Sequence, residues 1–210
     1  MRRFRYTLIA VCLTLLFLGI SDLSLWFNNQ QPQTATIATL ERIGAPQEWL
    51  TVTGGYQDLD RAISTSGSLE MEALLVPLVT HPDQEQIRIM VETRDPHLLG
   101  LFRDYHFLTD TIHEKNDFRR EHGDEFKGQR DFTGMLVSGL IARGNQQKLL
   151  QLAKQTGLDI TDDVIFLSEG KEPDKLRGVF FTVMGLLGLL KVVTLKKELV
   201  STDRLTDGDS

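Results

Sequence analysis

Two imidazoles and two carboxylates recur at close intervals near the middle of the chain: His106, Asp110, His113 and Asp117. They stand at i, i+4, i+7 and i+11. A helix over Tyr105 to Phe118 would therefore carry all four on one face. Imidazole and carboxylate together suit zinc or a similar divalent ion. His97 and His122 lie close by in sequence. The pattern has neither His-Glu-x-x-His nor a cysteine. A solvated helix face carries the same residue types, and the surrounding charge favours that reading.

Other motifs point away from catalysis. Gly54-Gly55 is followed by Tyr56-Gln57-Asp58-Leu59-Asp60, which is acidic and hostile to phosphate, so the glycines read as a turn. Ser64 to Ser68 offers hydroxyls, but no Gly-x-Ser-x-Gly elbow surrounds them. The close carboxylate pairs Asp58/Asp60, Glu70/Glu72 and Asp162/Asp163 are what an acidic domain would show anyway. The single cysteine, Cys12, lies in an apolar run, so no disulfide framework and no cysteine-based metal site are available.

Trp49–Thr53, Leu69–Thr80 and Gln86–Glu92 read as strands, the last two forming a hairpin around His81-Pro82-Asp83. Pro77 should push its strand to a sheet edge or a bulge. Asp95-Pro96 starts a helix that runs to about Phe107. Thr109–Arg130 is the most charged stretch and reads as an exposed helix or a long surface loop. Its scarcity of apolar residues permits folding on contact with a partner. Phe132–Ala142 reads as a strand, Asn145 as the cap of a helix stopped by Gly157, and Val164–Leu167 as a last short strand. The order implies an α+β domain with a mixed or antiparallel sheet and two packed helices.

Two apolar runs bracket this domain, at residues 7–27 and 178–195. Each approaches the roughly 20 residues that a helix needs to cross a bilayer. Arg2, Arg3 and Arg5 could begin a signal peptide, but no A-x-A-like site follows Ile20, so an uncleaved anchor is expected. In the second run, Gly185 and Gly188 are small enough to let another helix approach closely. Lys191 can snorkel to the nearer interface. Asp22 and Lys191 lie near opposite ends of the two spans, so each is expected to face its own interface rather than pair.

The implied organisation is a cytoplasmic N-terminus (1–6), a first transmembrane helix (7–27), a linker (28–36), an extracytoplasmic domain (37–177), a second transmembrane helix (178–195) and a cytoplasmic tail (196–210). Arg2, Arg3 and Arg5 at one flank, and Lys191, Lys196, Lys197 and Arg204 at the other, put both termini inside. Lys171, Lys175 and Arg177 belong to a long loop, whose charges count for less. In a bacterium this means the inner membrane with a periplasmic domain. Residues 28–177 hold 24 acidic and 16 basic side chains, a net −8, which disfavours nucleic acid as a partner. The expected partners are the lipid bilayer and a membrane or extracytoplasmic protein. The function expected is that of a non-enzymatic accessory, scaffold or assembly protein without a cofactor. The alternative is a membrane-tethered enzyme, with a divalent metal, working through His106, Asp110 and His113.

Overall fold

The computed structural model describes residues 2–65, 72–137, 147, 148, 150, 151 and 153–206. Contacts divide the chain into two compact units, Met1–Gln30 with Pro173–Ser210, and Gln31–Glu172.

The first unit is a pair of helices, α1 (Arg2–Asn28) and the last helix of the chain, α6 (Lys175–Thr206). Within them, Tyr6–Asn28 and Lys175–Thr194 are long and apolar enough to cross a membrane. At 1.5 Å per residue they span about 35 and 30 Å. Only 11% and 17% of their most apolar windows is buried inside the protein, whereas a core helix of a soluble fold is mostly buried. Val11, Phe17 and Ile20 on α1, and Phe180, Leu187 and Leu190 on α6, turn outward. Asn29 closes α1 by donating its side-chain amide to the Leu25 carbonyl at 2.8 Å, satisfying a terminal acceptor.

The second unit is a mixed α+β fold around one sheet. Its strands are β1 (Gln33–Thr36), β2 (Trp49–Thr53), β3 (Tyr56–Gln57), β4 (Ile63–Ser64), β5 (Leu74–Val79), β6 (Ile87–Thr93), β7 (Phe132–Leu136) and β8 (Ile160–Glu169). The order is β1-β2-β7-β8-β6-β5-β3, with β4 also pairing β5. β1/β2 and β6/β8 are parallel and the other pairs antiparallel. The expected hairpin is present as β5–β6. The expected linker is shorter than 28–36, because β1 already pairs with β2 from Gln33.

Pro77 corrects a second expectation. It lies buried inside β5, with β6 on one side and β3 and β4 on the other, rather than at an edge. Its carbonyl accepts from the Asp58 amide at 3.0 Å, so the side of the strand that lacks an N–H faces β3 and β4. Those two strands are separated by the 3₁₀ turn Leu59–Arg61, which leaves no ladder bond for Pro77 to break.

More than two helices pack on the sheet. α2 (Ile37–Ile43) is capped by Thr36 and covers Leu50, Val52, Ile89 and Val91. α3 (Pro96–Arg103) begins at the expected Asp95-Pro96 cap, with Asp95 accepting from the His97 amide at 2.9 Å. It continues as a π turn over Asp104–Leu108. α3 and α5 (Gly123–Lys127) cover Leu74 and Val76 through Leu98, Phe102 and Phe126. The opposite face, with Leu75, Met90 and Phe166, is covered by Leu150 and Ala153. Gly157 follows at φ +80, a left-handed position that ends that helical stretch. The beginning of the expected strand at Leu69, the carboxylate of Glu70, the far end of Phe132–Ala142 and the Asn145 cap lie outside the described residues.

The charged stretch folds locally through caps. No side chain of α4 (Ile112–Glu121) is fully buried, and only Phe118 among its apolar residues packs against the core, so its ends contribute much of what holds it. Thr111 accepts from the Glu114 amide at 3.2 Å, and Glu114 accepts from the Thr111 amide at 3.1 Å, a reciprocal capping box. The Thr111 and Asp110 backbone donors hold the Glu114 carboxyl below its usual value. Thr111→Ala is expected to cost about 1 kcal/mol of local helix stability. Amide exchange across Ile112–Glu121 measures it, and unchanged protection would show that the cap contributes nothing.

Candidate functional site

Glycine and small side chains run along the α1–α6 seam. Gly185 and Gly188, singled out from sequence, lie against Leu16 and Cys12 of α1. Gly19 on α1 fits against Thr182 and the Gly178 carbonyl, and Gly178 fits against Asp22 and Leu23. A methyl group added at Gly19, Gly185 or Gly188 would overlap the facing helix. The small residues thus bring the two backbones of one chain close together, which is how apolar helices gain contact when no hydrophobic force separates them from lipid. The Thr182 hydroxyl is satisfied by the Gly178 carbonyl at 2.9 Å.

The end of the hairpin nearer Asn28 carries a feature that the sequence reading missed. Asp22 does not stand alone at an interface: Arg177 grips it through Nε–Oδ2 at 2.7 Å and Nη2–Oδ1 at 2.8 Å. This bidentate geometry is the strong form of an ion pair. Lys175 sits over the Trp26 ring, 4.6 Å from its centre. No local spacing links Asp22 to a residue 155 positions away. The signal was topological: Asp22 closes the first apolar run and Arg177 opens the second, so an antiparallel hairpin must bring them together. The same antiparallel pairing sets Lys191 at the level of about residue 9, roughly 20 Å along the axis from Asp22.

The histidine face does not form as one surface. The continuous helix over Tyr105–Phe118 that a shared face requires is absent: the π turn ends at Leu108, Thr109 to Thr111 are non-helical, and α4 starts at Ile112. The capping box causes the break, because it requires extended backbone at Thr111. His113 and Asp117 alone are brought together, at 3.3 Å as an exposed i, i+4 pair on α4. The Asp110 amide donates to Glu114. His106 stays on the π turn, its ring tilted against Phe102 with centroids 4.2 Å apart. Among the described residues, no three His, Cys, Asp or Glu side chains converge as metal ligands. The other histidines have separate partners: His97 pairs with Glu125 at 2.5 Å, and His122 stacks on Phe118 at 4.3 Å.

Partial burial holds the His106 pKa below 6.5; Lys115 acts in the same direction and Asp60 opposes it. The unfolded chain binds more protons here than the folded one between the two pKa values, so stability falls as pH drops from 6.5 towards the folded value. An imidazole resonance with a midpoint below 6.5 is expected for His106. A midpoint at or above 6.5 would contradict the packing.

What this region does assemble is a charged and aromatic clasp. Tyr105 is buried against Phe126 at 5.1 Å, and its hydroxyl accepts from Arg119 at 2.6 Å. Arg119 and Lys127 reach Asp60 on the 3₁₀ turn at 3.0 and 3.6 Å. Arg130 bridges Asp95 and Glu169 at 2.8 and 3.0 Å, fastening α3 to the end of β8. These groups hold helices on the sheet. No protein-family model, curated protein or solved structure matches this chain.

Proposed function

We propose that the chain is a non-enzymatic integral membrane accessory or assembly protein. Its two apolar helices form a membrane-spanning hairpin, and its acidic α+β domain binds a membrane or extracytoplasmic protein. The observation that carries this reading is the division of surfaces on the hairpin. Small residues face inward along the α1–α6 seam, while large apolar side chains such as Phe17, Phe180 and Leu190 face outward. An apolar exterior on a helix pair suits lipid and would be a liability in water.

The orientation follows from the positive charges. Arg2, Arg3 and Arg5 at one flank and Lys196 and Lys197 at the other favour cytoplasmic termini, with the domain on the opposite side, periplasmic in a bacterium. The net −8 of residues 28–177 steers the domain towards basic or neutral protein surfaces and away from anionic lipid. The enzymatic alternative, built on His106, Asp110 and His113, has no shared face to work from among the described residues.

Isolation of the tagged full-length protein from its native membrane in mild detergent tests the accessory role. A second protein is expected at fixed stoichiometry through successive purification steps. A protein that migrates alone, at full yield and with its fold intact, would contradict it.

A further inference from the structure

We propose that the depression between α2 and the β5–β6 turn is a binding site for an oxyanion, either a phosphate or a carboxylate. It is an open cavity of about 470 Å³, lined in part by Glu41, Arg42, Thr80, His81, Gln84 and Arg88. That volume lies within the range of small-molecule sites. The proposal stands on this cavity alone and does not depend on the membrane reading.

The charged groups of the cavity differ in how far they are already satisfied. Glu41 is the one carboxylate in the lining, and both of its oxygens are engaged by neutral donors. The Thr80 hydroxyl donates to Oε2 at 2.9 Å, and the Gln84 amide to Oε1 at 2.9 Å. Gln84 is itself fixed, because its Oε1 accepts from the Thr80 amide at 3.0 Å and its amide also reaches the Gln86 carbonyl at 2.8 Å. Arg61 clamps the same turn from behind, donating to the Glu85 and Gln84 carbonyls. The wall of the cavity is therefore rigid, and its carboxylate is held in place without a cation.

The cations are left over. Arg88 is half-buried and donates Nη1 to the Glu41 carbonyl at 3.0 Å, near the end of α2. Among the described residues, neither Arg88 nor Arg42 forms an ion pair with a carboxylate. In a segment with 24 acidic and 16 basic side chains, two guanidinium groups lining one cavity would ordinarily find acidic neighbours. Here the one carboxylate of the lining is occupied by Thr80 and Gln84, so the Arg42 guanidinium and the Arg88 donors other than Nη1 remain to receive an external anion. A planar guanidinium fork matches a carboxylate or phosphate edge with two parallel hydrogen bonds. The His81 imidazole adds a further polar group at the rim.

Thermal unfolding of the full-length protein in detergent micelles tests this, with inorganic phosphate and succinate titrated separately. Ionic strength is held constant with chloride, so that general screening does not register. A saturable rise in unfolding temperature with at least one anion is expected, because a ligand that binds only the folded state stabilises it. Phosphate alone would assign the site to phosphate, and succinate alone would assign it to carboxylates. Arg42 is exposed, so Arg42→Gln should leave the unliganded unfolding temperature unchanged while weakening the half-saturation concentration at least tenfold. Arg88→Gln should weaken it as much. No saturable rise with either anion would overturn the proposal, as would an equal rise in the Arg42→Gln/Arg88→Gln double variant.

Discussion

Gly188→Cys should form an intrachain disulfide with the native Cys12 under mild oxidation. A Cβ built at Gly188 lies 3.7 Å from the Cys12 Cβ. That separation falls inside the range of about 3.5–4.5 Å that disulfides require. Cys12 is the only cysteine in the chain, so the product is unambiguous. The cross-link would join residues 176 positions apart in sequence, and only an antiparallel hairpin with this register permits it. Loss of both thiols to a maleimide reagent, reversed by reductant, is the readout. Val193→Cys is the control, because Val193 faces outward and is 53% exposed; it should stay reduced. Dimer-only cross-linking by Gly188→Cys would contradict the seam, since it would place Cys12 against a neighbouring chain.

Asp58→Ala should destabilise the Gln31–Glu172 unit by about 3–5 kcal/mol, the usual consequence of removing one member of a buried ion pair. The Asp58 side chain is only 3% exposed and Arg61 25%, so the remaining guanidinium would be left largely dehydrated. Asp58 accepts from Arg61 twice, from the amide at 3.3 Å and from Nε at 2.7 Å. Arg61 in turn fastens the β5–β6 turn through the Gln84 and Glu85 carbonyls. One carboxylate therefore supports the 3₁₀ turn, the gap beside Pro77 and the wall of the anion cavity. The loss would be about a fifth or more of the stability of a marginal domain of about 5–15 kcal/mol. Urea unfolding of the full-length protein measures it, and a change below about 1 kcal/mol would show that the pair is not structurally important.

The elements most legible in the sequence were those with a local physical cause. The strand Trp49–Thr53 and the β5–β6 hairpin follow from apolar and β-branched runs between turns, and the Asp95-Pro96 helix start follows from its cap. The two apolar helices follow from composition and length. What was not legible depends on partners distant in sequence. Strand β1 looks like a linker, because Gln33–Thr36 is polar and becomes a strand only by pairing with β2. Helix α2 follows from a Thr36 cap that a Thr-rich segment disguises. Pro77 was misplaced because the rule for proline concerns a missing N–H, and its consequence depends on whether the neighbouring strand is interrupted at that point. In the candidate sites, the histidine spacing was real, but the Thr111–Glu114 capping box broke the helix that would have used it. Asp22 pairs with Arg177, a contact visible only once the hairpin is assumed.

Thiol accessibility in intact cells tests the two-span topology most directly. With Cys12 replaced by alanine, a single cysteine is placed either at Asp110, which is exposed on the domain, or at Ser210 in the tail. A membrane-impermeant maleimide should label Asp110→Cys in cells whose inner membrane is intact, and should label Ser210→Cys only after that membrane is opened. Equal labelling of both positions, or labelling of Ser210→Cys alone, would contradict a hairpin with its termini inside and its acidic domain outside.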